Sequence, residues 1–378
     1  MAAGGGTSGG GAGGLGGNAA VAGGAGTSGA AGASAGASGA GASTPSFDVQ
    51  DAIDIPQPAV AMAYDDVADN LWFVGIDGGT GTAVVAALPA NGNTVAQTVP
   101  LTGAQYSQQG LVVIPELGKG YVGHGTSVLV IDLVTGSVES EIATSPVSAL
   151  AVDRAGRRVF VAVENGPAGA LLVVDATSDT IAKTVDVAFA DGGTLWLSNV
   201  NSVAYDPTTS TAYLFGSHTG TAFVAVDTTT WKQKAVESSK GLEPIGIAAL
   251  PGNAAGIAKT DVFGDPNAFY LFSATAAVDL PHSDGLSRID TVVGANGPRV
   301  LVWDVRGQGM AFVFDDKGKQ VGKITSLLNA ASDETVVAFA TAGVDPASGD
   351  RIAFGQYGSP VVGYPVQRKL RRGVLHVP

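Results

Sequence analysis

The sequence predicts an all-β fold: a seven-bladed β-propeller of four-stranded antiparallel blades, preceded by a disordered Gly/Ala/Ser-rich segment. Three observations carry this. An apolar run that ends at an aspartate, followed by a polar turn and a second strand, recurs at Val128–Val138, Ala170–Val185, Ala222–Trp231 and Ala311–Lys319. The aspartates of that phrase, Asp132, Asp175, Asp227 and Asp315, are 43, 52 and 88 residues apart, so one degenerate copy falls in the last gap. A period of about 40 to 45 residues made of short strands is the signature of propeller blades.

The elements follow in chain order. Residues 1–45 form a low-complexity linker. The first 44 contain 18 glycines, no charge and no aromatic, too little apolar surface to offset the entropy of ordering them. Phe47–Ile55 is an alternating strand. Val60–Tyr64 is the first inner strand, and Ala83–Leu88 a weaker copy of the repeated phrase. The third blade is the most complete: Val147–Asp153, a turn at 154–157, Arg158–Val163, then the phrase itself. Gly, Asp, Asn and Pro stand between its alternating runs, as hairpins require. Ala204–Phe215 repeats the unit. Ala268–Ser273 supplies the hidden copy, and Val344–Phe354 with Pro360–Tyr364 the last one.

This places the propeller at 46–366 and leaves 367–378 as a basic C-terminal tail, Arg368-Lys369-Leu370-Arg371-Arg372. Such a charge run is most simply a solvated end, with anion binding as the alternative. The last blade then shows only three strands. Either Phe47–Ile55 or Gly373–Val377 must close it. The N-terminal option is favoured, because joining both chain ends in one blade removes an open edge.

Composition narrows the function. Net charge is −13, so the basic footprint of a nucleic-acid binder is missing. With no cysteine, disulfides, thiolate metal sites and cysteine nucleophiles are excluded. No apolar run approaches the length of a membrane span, and no signal peptide follows Met1. The linker has the composition of a spacer between an anchor and a folded head. The expected location is therefore periplasmic, cell-surface or secreted, with the export signal removed or replaced, and the expected state a monomer.

The phrase Val128–Val138 followed by Ala151–Val161 resembles the seven-bladed YVTN/YncE-like β-propellers, most clearly in blades two to four. That family is mostly exported and is defined by its fold. The resemblance therefore implies a propeller and supplies no catalytic residues to carry over.

Chemistry must come from loops that a propeller gathers around its channel. Gly32–Gly36 matches a nucleophile-elbow pattern and Gly11–Gly16 a dinucleotide pattern, but both lie in the linker, with no strand before or helix after. The channel-face loops offer His124 and His218 at equivalent positions of blades two and four, with Glu164, Asp265, Arg306 and Tyr357 in other blades. His282 lies in an inter-blade loop. These seven are the candidate ligand-binding residues. No catalytic residue is assigned and no cofactor is expected; a divalent cation held by histidines and carboxylates is the one the pattern admits. The strand-end aspartates, including Asp65-Asp66 and Asp315-Asp316, are expected to cap turns. The sequence thus points to a non-catalytic scaffold that binds a protein or small-molecule ligand. The alternative is a propeller enzyme of lactonase, lyase or quinone-dependent dehydrogenase type.

Overall fold

The structure is a computed structural model that describes residues 44–77, 80–102, 106–165, 168–187, 203–217, 221–237, 243–259, 267–273, 278–280, 286–294, 296–304, 311–324, 335–344, 350–358 and 368–378. The linker lies outside the described residues. A strand β1 (Ser46–Asp54) comes first. Blade one is β2 (Ala59–Asp65), β3 (Asn70–Ile76), β4 (Ala83–Pro89) and β5 (Gln97–Leu101). Blade two is β6 (Tyr106–Ile114), β7 (Lys119–His124), β8 (Ser127–Asp132) and β9 (Ser137–Ala143), with a 3-10 turn at Pro115–Leu117. Blade three is β10 (Val147–Asp153), β11 (Arg158–Asn165), β12 (Ala168–Asp175) and β13 (Thr180–Val187). Blade four is β14 (Val203–Asp206), β15 (Thr211–Ser217), β16 (Thr221–Asp227) and β17 (Gln233–Glu237). Blade five is β18 (Glu243–Leu250), β19 (Asn253–Lys259), β20 (Asn267–Leu271) and β21 (Val278–Leu280). Blade six is β22 (Leu286–Gly294), β23 (Gly297–Asp304), β24 (Ala311–Asp315) and β25 (Gln320–Ile324). Blade seven holds β26 (Thr335–Val344), β27 (Arg351–Gly358) and β28 (Lys369–His376).

Each sheet is four-stranded and antiparallel. The first strands meet in turn around the molecule, β2 against β6, β6 against β10, and onward until β26 meets β2. That chain of neighbours is a closed ring. Seven apolar clusters occupy the seven junctions between adjacent blades. In blade three, Phe160, Ala162, Leu171 and Val173 face blade four, while Val159, Val161, Leu172 and Val174 face blade two. Both faces of a central strand are therefore dry. This is why these strands read as nearly continuous apolar runs rather than clean alternations. The outer strand β13 is exposed along most of its length.

Blade seven corrects the sequence reading in part. Its order is β26, β27, β28, β1. The N-terminal strand does close the ring as the outermost strand. The residues expected to be a basic tail are, however, the blade's third strand, and the domain continues past the boundary drawn at 366. Pro360–Tyr364, expected as that third strand, lies outside the described residues. Charge hid the strand. Arg372 lies against Asp51, its Nε 3.1 Å from Oδ2, and Lys369 stands 3.7 Å from Asp54. The cations are thus matched by the acidic residues of β1, while Leu370 and Leu375 point into the core.

One extra residue in β1 lets it serve two junctions. Val49 pairs with Gly373 and Asp51 with Arg372, so Gln50 bulges out. Phe47 then packs toward blade six, whereas Ile53 and Ile55 pack toward blade one. A bulge shifts the alternation by one position.

The two ends of the propeller differ. Turns from first to second strand and from third to fourth strand emerge on one face, here the turn face. Connections from second to third strand and from blade to blade emerge on the opposite loop face. Seven of the turn-face connections, among them those after Asp65, Asp132, Asp153, Asp175, Asp206 and Asp315, are four residues long. An aspartate at the strand end accepts from the backbone two and three residues on: Asp65 from Val67 (3.0 Å) and Ala68 (2.9 Å), Asp132 from Val134 (2.8 Å) and Thr135 (2.9 Å). Asp175 and Asp227 do the same. The residue four after the aspartate is left-handed: Asp69, Gly136, Arg157, Asp179, Ser210 and Trp231. This is the short hairpin turn in which one αL residue matches the twist of the strands. The capping role expected of these aspartates holds, and the repeated phrase is largely turn chemistry.

Candidate functional site

On the loop face the described residues cluster where blade seven hands over to blade one. Ile76 N–H donates to Pro58 O (3.0 Å), and Asp77 N–H to Thr82 O (2.9 Å). Thr80 N–H reaches Asp77 Oδ1 at 3.3 Å. With its amide oriented to satisfy both ends, Gln57 donates to Gly75 O (2.8 Å) and Thr82 O (3.1 Å) and accepts from Thr82 Oγ1 (2.9 Å). Arg368 Nη2 donates to Asp77 Oδ2 at 2.7 Å. This pair joins blade seven's third-strand entry to blade one's loop. Beside it, Gln356 is fully buried on β27, and its Oε1 accepts from Ala59 N–H at 3.4 Å.

Blade two contributes the hairpin His124-Gly125-Thr126-Ser127. Gly125 has a φ of 52°, a conformation that glycine adopts without strain. Ser127 Oγ donates to His124 O at 3.0 Å, and His124 Nδ1 is 3.4 Å from the same hydroxyl. The next inter-blade loop docks on this hairpin, Val147 N–H to Gly125 O and Thr144 N–H to Thr126 O, both at 2.8 Å. Glu164 ends β11 with an exposed side chain, and its N–H donates to Pro146 O at 2.9 Å. A proline carbonyl ahead of an inner strand thus receives the end of the second strand in blades one and three alike.

Of the seven predicted site residues, His124 and Glu164 lie at the loop-face ends of the second strands of adjacent blades. Tyr357 is in β27, opposite Val336. His218, Asp265, His282 and Arg306 lie outside the described residues. Among the described residues no group of three or more His, Asp or Glu is placed to hold a metal ion, and no helix is long and apolar enough to cross a membrane.

Sequence reasoning missed the charge pairing. On the turn face, Arg154 of blade three reaches Asp66 of blade one through two bonds, at 3.0 and 2.8 Å, and also grips Glu116 of blade two. Burial pushes the Glu116 carboxyl up, but the Arg154 hydrogen bond, a backbone hydrogen bond and the Arg154 charge together hold the group below its usual range. Further out, Lys119 and Tyr121 of blade two bind Asp179 in the third-to-fourth-strand turn of blade three, at 2.5 and 2.8 Å. Arg158 donates to Thr228 O of blade four at 3.2 Å. Only the register of the repeats could have suggested these contacts. A shallow groove separates β1 from the turn after β4, lined by Asp51, Asp54, Asn93, Thr94 and Val95.

No protein-family model and no curated protein matches this sequence. Among solved structures the chain is similar to hydrazine synthase of Kuenenia stuttgartiensis, with a TM-score of 0.58, covering 86% of this chain and 96% of that one. The likeness is one of fold. At 14% identity it extends to propeller architecture and no further. The resemblance to YVTN/YncE-like propellers thus gains support for its fold and none at family level.

Proposed function

We propose that the protein is a non-catalytic binding scaffold, displayed on a flexible stalk outside the cytoplasm, with its loop face as the binding surface. One observation carries this reading: the two faces are built differently. The turn face repeats an aspartate-capped turn in several blades and is tied across blades by Arg154. The longest separations between consecutive strands run between loop-face strand ends, fifteen residues from β13 to β14 and ten from β25 to β26. Varied loops on a rigid frame are where proteins place recognition.

Ser46 is paired with His376 at the turn-face end of blade seven. The composition of residues 1–44 supports the stalk.

The alternative is a propeller enzyme with a metal or acid–base group at the channel. Metal content separates the two. We expect purified protein to carry no stoichiometric divalent metal, and His124→Ala with His218→Ala to leave metal content unchanged. Stoichiometric metal that disappears in the double variant would overturn the binding reading.

A further inference from the structure

The junction between blades six and seven contains two arginines with no carboxylate against either among the described residues. Arg299 stands on β23 in line with Leu301 and Trp303, which pack toward blade seven. It is 8% exposed. Its Nη1 donates only to carbonyls of its own turn, Asn296 O (3.3 Å) and Pro298 O (2.9 Å), and its Nε is buried without a partner. Arg351 enters from β27. It lies opposite Leu375 in register and in line with Ala353, both of which face blade six. Its Nε donates to Val293 O at 2.8 Å, next to Val292, the residue paired with Arg299. The two guanidinium groups therefore enter one junction from its two walls.

Five other arginines among the described residues are paired. Arg154, Arg158, Arg288, Arg368 and Arg372 each lie against a carboxylate. The nearest acidic residue in register with Arg299 is Asp315, but its carboxylate accepts from Lys317 and Lys319 N–H at 3.0 and 2.8 Å. Asp350 is engaged by His376 at 2.6 Å. Burial pulls the Arg351 guanidinium below its ordinary value. A buried cation without a counter-charge is strongly unfavourable, and planar guanidinium forks match oxyanions two bonds at a time.

We propose that this junction binds a small oxyanion, held between Arg299 and Arg351. The chemistry suits phosphate, sulfate or a free carboxylate. Val293 is exposed and Arg351 partly exposed, so the junction is reached by solvent at the turn face. The site is remote from the loop face and does not depend on how that face is used.

The test is thermal unfolding of the full chain in phosphate, sulfate or acetate against chloride at equal ionic strength. We expect a saturable rise of about 3 °C at ten times the dissociation constant. It should vanish in Arg299→Met with Arg351→Met and be reduced in the milder Arg351→Gln. Sulfate stabilises folded proteins generally, so an equal rise in the double variant would mean exclusion rather than a site and would overturn the proposal. So would no saturable rise in the wild type. Asp345, ahead of β27, lies outside the described residues and is the rival counter-ion. If Asp345→Asn and Arg351→Gln cost the same stability separately and together, Asp345 fills that role and the proposal fails. If Asp345→Asn leaves the anion response in place, the proposal stands.

Discussion

Closure of the ring by β1 can be tested by removing it in steps. Phe47 is 3% exposed and sits edge-on to Phe339, ring centres 6.3 Å apart at 84°. Truncating a buried phenylalanine costs about 3–5 kcal/mol. At roughly 2–4 °C per kcal/mol for a domain of this order, Phe47→Ala should lower Tm by about 10 °C. Ile53 and Ile55 are equally buried, at 3% and 4%, but at the other junction. Losing each costs about 2–5 kcal/mol. Deleting residues 1–56 therefore removes on the order of 10 kcal/mol, comparable with the whole stability of a typical domain, and leaves β28 with an open edge. Deleting 1–43 should change nothing. Urea unfolding followed by tryptophan fluorescence is the natural assay, since Trp303 is fully buried in the cluster that holds Phe47. A soluble 57–378 fragment with the wild-type midpoint and m-value would refute the role assigned to β1.

The remaining predictions concern the turn face. Arg157 is exposed with a φ of 51°, so Arg157→Gly should stabilise the protein by about 0.5–1 kcal/mol, read as a rise in urea midpoint. The Asp227 carboxylate is held down to about 2 by the Thr229 hydroxyl, with the backbone N–H groups of Thr230 and Thr229 adding to it. A depressed carboxylate stabilises above its unfolded value and loses that contribution as pH falls through the folded one. Tm should therefore fall between about pH 4 and pH 2, and Asp227→Asn should flatten that limb. Arg154→Ala should cost at most about 1 kcal/mol, because its partners are half exposed and such pairs are weak. The loss should shrink in high salt; an unchanged loss would show that the arginine acts by packing.

Much of this was legible in the chain because the turn is the most repetitive part of a blade. An aspartate at the strand end, with a left-handed residue four places on, leaves a sequence trace that survives when the apolar positions drift. The hidden copy at Ala268–Ser273 coincides with β20 for that reason of period alone. Blade seven was harder. Its third strand carries three cations within its first four residues, a pattern that only the acidic strand beside it explains. That strand lies more than 300 positions earlier, and local reasoning has no view of such a pairing. The candidate site was less legible still. Residue type and loop position nominate His124 or Glu164, but neither reveals that Arg368 would cross from the supposed tail to Asp77.

Placing β28 between β27 and β1 also sets the order in which the molecule can be completed. During synthesis β1 emerges more than 300 residues before its partner β28. Every other blade can assemble from neighbours in sequence, while β1 must wait through nearly the whole chain with its edge unsatisfied. Native closure is thus a late, long-range event of the kind that folds slowly and exposes strand edges on the way. A nascent chain stalled or cleaved anywhere before residue 369 would retain two unmated edges, one at each end, able to pair with each other's counterparts in a second molecule.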